Sequence, residues 1–351
     1  MTTPIPPRAA LILTAVILLL TSCDNSGNTG AGSATSSPST RAAKRPHVAY
    51  VTNGVDSFWV IAQAGAEAGG KMYDAQVEVH MPSEGAADQK RIVEDLLIRG
   101  LDGIAISPID AANQTPFLNE VAKKTNLITQ DSDAPNSSRL MFIGVDNYKA
   151  GRMCGELVKE ALPRGGKVAI FVGRMEQDNA RLRRQGLIDE LVNRPEDPNR
   201  AADPVGSEIK GDKYTIVATL TDQFDRPKAR DNAADLLTKH SDLAAMVGLF
   251  AYNPPMCLEA LRQRNMLGKV QVIGFDEQDA TLQAIKDGHC HGTVVQNPYK
   301  YGYESVNVLV KLAKGDKSVI PANKVMDIPA RQIRKNNVDE FWSDLKKKLG
   351  K

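Results

Sequence analysis

Short apolar runs of strand length alternate with stretches of helical period along most of the chain, and this rhythm limits the fold more than any single residue does. Runs at residues 47–51, 77–80, 103–107, 127–130 and 141–145 are separated by helix-period stretches that begin near Ser57, Asp88, Ala111 and Asn147. Strands that are apolar throughout are buried on both faces, and strands joined through helices run parallel, so the pattern predicts a doubly wound α/β sheet. The rhythm then repeats, with strands expected at 167–172, 214–220, 244–249, 270–274 and 292–296, and helices starting near Asp178, Arg226, Asn253, Glu277 and Pro298. Two similar α/β lobes in series follow, because the folded region is too long for one core to remain efficient. Residues 194–212 carry three prolines and no period, and read as a surface loop inserted in the second lobe.

The first 22 residues carry one arginine, Arg8, followed by an apolar stretch too short to span a bilayer comfortably and ending in Leu20-Thr21-Ser22-Cys23. This pattern resembles a bacterial lipobox, so residues 1–22 are expected to be a removed signal peptide and Cys23 the lipidated first residue of the mature chain. Residues 23–45 are rich in Gly, Ser, Thr and Asn and bury almost nothing apolar, which predicts a flexible tether. The protein is then expected outside the cytoplasmic membrane, in the periplasm or at the cell surface, and in contact with the membrane through its N-terminal lipid alone. Forty-four basic and forty-two acidic residues are interspersed, with a net charge of +2, and leave no footprint for nucleic acid. Cys154, Cys257 and Cys290 are an odd set that implies no disulfide framework and reads as small buried apolar side chains.

Ligands of such sheets bind outside the carboxyl ends of the strands. The loops at those ends supply Phe58 and Trp59, then Asp131, Arg181, Phe224, Asn253, Asp276 and Gln296. Carboxylates accept, a guanidinium donates in a fork and carboxamides do both, which suits the hydroxyl rim of a sugar. Aromatic rings suit its apolar C–H faces. Phe58 and Trp59 are adjacent at a helix start, so their side chains diverge by about 100° and both need not face the ligand.

The segments VDSFWVIAQAGAE, LLIRGLDGIAISPIDA, NLITQDSDAP, FIGVDNYKAG, DNARLRRQGL, DQFDRPKA, VIGFDEQDA and GTVVQNPYKYG resemble, in this order, the ribose-type sugar-binding proteins of ABC transporters. That family has the type I periplasmic binding protein fold, shared with the effector domains of the lac repressor family. The resemblance implies ligand contacts at Asp56, Phe58, Trp59, Asp131, Arg181, Phe224, Asn253, Asp276 and Gln296. It also implies a three-segment hinge near 145–147, 296–297 and 327–328, with residues 46–146 plus 297–326 in the N-terminal lobe and 147–296 plus 327–351 in the C-terminal lobe. Two positions depart from the ribose pattern. Ser132 follows Asp131 where an arginine is usual, and Pro254-Pro255 follows Asn253 where an acidic residue is usual, so the sugar need not be ribose.

The expected function is binding of a small sugar by hinge closure, in a monomer that delivers it to an ABC transporter permease. The alternative is a sugar or autoinducer-like sensor that feeds a membrane receptor. A transcription factor on this fold needs an N-terminal helix-turn-helix, whose place here is taken by the signal and the tether. No GxSxG, HExxH, GxGxxG or complete P-loop occurs, so no catalytic residue, metal or cofactor is expected. Residues 65–71 have P-loop spacing, yet Met72 follows Lys71 and the segment continues a helix. His289 and His291 lack further ligands for zinc. Residues 340–351 form an amphipathic helix whose Phe341 and Trp342 are expected to dock on a lobe.

Overall fold

The computed structural model describes residues 44–351; the signal segment, Cys23 and the tether through residue 43 lie outside the described residues. The first sheet draws on β1 (His47–Val51), β2 (Gln76–His80), β3 (Gly103–Ile106), β4 (Asn126–Gln130) and β5 (Phe142–Gly144). Helices α1 (Ser57–Met72), α2 (Ala86–Ile98) and α3 (Ala111–Ala122) connect the first four of these strands. After α4 (Asn147–Ala161) the second sheet begins with β6 (Gly166–Val172), α5 (Asp178–Leu191), β7 (Ile209–Lys210), β8 (Tyr214–Thr221) and α6 (Arg226–Lys239). It continues through β9 (Leu243–Gly248), α7 (Asn253–Gln263), β10 (Gln271–Phe275), α8 (Asp279–Asp287) and β11 (Gly292–Val295). The chain closes with α9 (Pro298–Ala313), β12 (Val325–Asp327), β13 (Arg331–Arg334) and α10 (Val338–Lys348).

The first sheet has the order β12-β5-β4-β3-β1-β2 and is parallel throughout. The second has the order β13-β11-β10-β9-β6-β8-β7, with its two edge strands antiparallel to their neighbours. The central strands β3, β9 and β11 are buried almost without interruption, the mark of sheets covered by helices on both faces. Side-chain oxygens of Asp56, Asp110, Asp146, Asp225 and Asn297 accept from backbone N–H groups at the starts of α1, α3, α4, α6 and α9.

The chain passes between the two sheets three times: from β5 into α4, from β11 into α9, and from β12 into β13. Two of these segments are tied together, because the Asp146 N–H donates to Asp327 at 3.1 Å and the Ile328 N–H to the Gly144 carbonyl at 2.7 Å. Within each lobe one helix pair packs backbone to backbone at glycines. A Cβ on Gly65 of α1 would strike the Tyr299 carbonyl of α9, and one on Gly302 would strike the Ala62 carbonyl. Gly151 of α4 and Gly186 of α5 make the equivalent approach in the second lobe. The glycines around residues 65–70 therefore serve helix packing rather than a phosphate loop.

The segment 194–212 is more ordered than its prolines suggest. Asp189 is fully buried beneath it and accepts from Tyr148, Gln185, Arg194 and Arg200, while Arg194 also pairs with Asp203. The three cysteines in the described residues are free and buried, and burial pushes the Cys290 thiol up to about 12. Phe341 is buried in the second lobe, and the Trp342 indole N–H donates to Asp279 at 2.8 Å.

Candidate ligand-binding cleft

A cavity of about 350 Å³ lies where the carboxyl ends of both sheets face each other. It is at the small end of the roughly 300–1,000 Å³ typical of small-molecule sites, a size for one ring rather than a long oligomer. Seven of the nine residues expected from the sequence line it: Asp56, Phe58, Trp59, Asp131, Phe224, Asp276 and Gln296. Several are held in the left-handed backbone region, with φ of 60° at Asp131, 65° at Phe224 and 64° at Asp276. Non-glycine residues rarely adopt this conformation, and such strain concentrates at functional sites. At Phe224 the neighbours enforce it. The Phe224 N–H donates to Asp222 at 2.9 Å, and the ring lies so close to Gly173 that no Cβ fits there.

Phe58 and Trp59 both reach the cavity while packing edge to face, with centroids 4.8 Å apart. Each is buried, so one edge serves the lobe core and another the cleft. Asp276 accepts from the Gln296 carboxamide at 2.8 Å, and Gln296 in turn accepts from the Tyr301 hydroxyl at 3.2 Å.

Arg181 and Asn253 do not line the cavity. Arg181 donates to the Met175 and Glu176 carbonyls and pairs with Asp178, so it clasps its own loop. Asn253 is fully buried and spends both ends of its carboxamide internally, donating to Asp222 and accepting from the Phe250 N–H. The arginine that enters the cleft is Arg183. Asn179 and Arg183 are four residues apart on α5 and share its cleft face, whereas Arg181, two residues from each, points about 200° away.

Arg183 is 1% exposed and braced from three sides. Its Nε donates to Asn147 at 2.8 Å, its Nη1 donates to the Leu249 carbonyl at 3.1 Å, and its plane stacks 4.0 Å from the Phe275 ring. Nη2 lies 3.9 Å from Asp131 of the other lobe and has no hydrogen-bond partner. Asn179 likewise donates to Asp131 at 3.4 Å and leaves its Oδ1 unpaired. Buried polar atoms without partners are costly, so these two atoms mark where a ligand's hydroxyls would bond.

Burial pushes the Asp131 carboxyl up to about 6 and that of Asp276 up to about 7, while Arg183 pulls both down. Asp222, behind the Phe224 turn, is pushed up to about 6 by burial and accepts from the Tyr252 hydroxyl, which also lines the cleft. Across the opening Asp56 pairs with Arg226 at 2.7 Å, which joins α1 of one lobe to α6 of the other.

Fold and cleft together define a two-lobed α/β protein built to enclose a small polar molecule between its lobes. The chain belongs to the periplasmic binding protein domain family, which matches it over residues 48–317. Among curated relatives, the ribose import binding protein of Salmonella typhimurium is 30% identical over 230 residues, covering 64% of this chain and 70% of that protein. The D-ribose/D-allose-binding protein of Pseudomonas aeruginosa is 26% identical, covering 83% of this chain and 89% of its own length. An ABC transporter solute-binding protein from Burkholderia graminis, solved with D-arabinose, aligns with a TM-score of 0.74 at 26% identity. That alignment covers 83% of this chain and 96% of that one. The glucose-galactose binding protein of Geobacillus stearothermophilus aligns with a TM-score of 0.74 at 27% identity, over 84% and 99% of the two chains.

Proposed function

We propose that this protein is an extracytoplasmic receptor for a small sugar, which it encloses between its lobes and delivers to an ABC transporter permease. The observation that carries this reading is the buried Arg183, set against Asp131 of the opposite lobe with an unpaired N–H directed at the cavity. A sugar hydroxyl accepts from that N–H and donates to the carboxylate in one contact, and thereby bonds to both lobes at once. Closure then depends on ligand, because the polar partners are divided between the two lobes. Phe58, Trp59 and Phe224 supply apolar surfaces for the sugar's C–H faces.

The relatives' ligands support a pentose or hexose, and the permease partner follows from the same kinship. Ser132 in place of the second guanidinium makes the polar set different from the ribose pattern. The reading includes lipid attachment at Cys23, supported by the Leu-Thr-Ser-Cys sequence and the polar tether behind it. It assigns the protein no catalytic step.

A thermal-shift panel of D-ribose, D-allose, D-arabinose, D-glucose and D-galactose tests the sugar assignment. A cognate sugar at a hundred times its Kd is expected to stabilise the protein by roughly 2.7 kcal/mol. Unchanged melting with every carbohydrate, at concentrations up to tens of millimolar, would remove sugar binding from the account.

A further inference from the structure

The three arginines that line the cleft differ in what balances them. Arg183 faces Asp131 and holds down the carboxyl of Asp276, and Arg226 is paired with Asp56. Arg174, just beyond the end of β6, has no carboxylate within 4 Å among the described residues, and its buried Nε–H has no hydrogen-bond partner. The acidic side chains nearest to it in sequence do not compensate it. Glu176 is exposed, and Asp178 is taken by Arg181 at 2.8 Å. Arg181 also donates to the Met175 and Glu176 carbonyls and so braces the segment that presents Arg174. The guanidinium lies over the Phe224 ring, 5.3 Å from its centroid, which orients its plane beside the aromatic wall of the cavity. Arg174 is half-buried, whereas Asp131 and Asp276 are buried, so this charge keeps more contact with solvent than those two carboxylates do.

We propose that the sugar bound here carries an anionic group, a carboxylate or a phosphate ester, which is received by Arg174 in the wall of the cleft. This rests on the sugar-binding reading above and narrows it. A guanidinium without a counter-charge in a partly desolvated wall favours a ligand that brings one, and its fork matches the paired oxygens of either anion. The neutral ring hydroxyls remain with the inner set, where Arg183 is already balanced by carboxylates.

The test is calorimetry with two matched pairs, D-galactose against D-galacturonate and D-ribose against D-ribose 5-phosphate, on wild type, Arg174→Gln and Arg174→Lys. In wild type an anionic member is expected to bind at least about tenfold tighter than its neutral parent, an advantage that falls with added salt. Arg174→Gln is expected to abolish that advantage, costing the anionic member at least about tenfold more than its neutral parent, while Arg174→Lys keeps part of it. The pair that shows the preference tells carboxylate from phosphate. Neutral parents binding as tightly as the anions in wild type, or equal losses for both members in Arg174→Gln, would overturn the proposal and leave the sugar reading standing. Binding of no carbohydrate, charged or neutral, overturns both.

Discussion

Arg183→Met is expected to weaken sugar binding by about 2–5 kcal/mol, the cost of truncating one member of a buried, hydrogen-bonded charge set. This corresponds to roughly thirtyfold to several thousandfold in Kd. The side chain is 1% exposed and its Nη2 is the unpaired donor that faces the cavity, so its loss removes a ligand bond and strands Asp131 and Asp276 without their cation. Arg181→Met is expected to change neutral-sugar affinity by no more than about threefold, as for a surface substitution away from the bonds that count. Arg181 is 41% exposed and bonds only within its own loop. Calorimetry on both variants, with melting curves to establish that each is folded, checks the contrast. Equal losses would mean that the cleft is read from the wrong arginine.

Sugar affinity is also expected to fall as the pH is lowered from 8 to 5. In the free cleft burial raises Asp131 to about 6 and Asp276 to about 7, so both carry a proton part of the time near neutrality. A sugar hydroxyl that donates to a carboxylate favours the ionised form, so binding lowers these values and releases protons. Kd then rises as the pH drops through this window, by up to about tenfold per unit for each proton released. The free protein responds in the opposite direction. A carboxyl whose folded value is raised contributes stability that is complete below its unfolded value of about 3.9 and is lost as the pH climbs through 6 to 7. The ligand-induced rise in melting temperature is therefore larger at pH 8 than at pH 5, and Asp276→Asn is expected to reduce that difference to the share carried by Asp131. Titration in buffers of different ionisation enthalpy counts the protons directly.

Much of the fold was legible because buried parallel strands leave short continuous apolar runs, while the helices between them leave a 3.6-residue period. The central strands begin within a residue or two of where the apolar runs begin, and α1, α3, α4 and α5 start where the sequence indicates. The strands β12 and β13 were not legible. They are three and four residues long, too short to show a pattern, β13 is largely polar, and both add to the edges of sheets built by longer strands. The residues 194–212 gave a turn-rich signal and no hint of the buried Asp189 that gathers them, since a long-range carboxylate network leaves no local pattern.

The cleft shows the same division. Asp131, Asp276 and Gln296 follow directly on strands, where position alone points to a ligand. Of the two arginines, Arg183 lines the cavity and Arg181, the one expected from the sequence, does not, and helical phase already separates them. Asn179 and Arg183 are an i, i+4 pair, and helical phase places them on one face with Arg181 off it. Asn253 looked like a ligand contact from its loop, and its inward turn depends on Asp222, thirty-one residues earlier in sequence. Arg174 and Tyr252 carry no motif, and they become visible once the loops after β6 and β9 of the second sheet are folded beside each other.

A crystal structure of the protein with its best-binding sugar tests the central claim most directly. One sugar ring is expected between the lobes, with oxygens within about 2.7–3.2 Å of Arg183 and Asp276 from one lobe and Asp131 from the other, and with Phe224 against a C–H face. A sugar bound outside this cleft, or held by one lobe with no contact to Arg183, would contradict it.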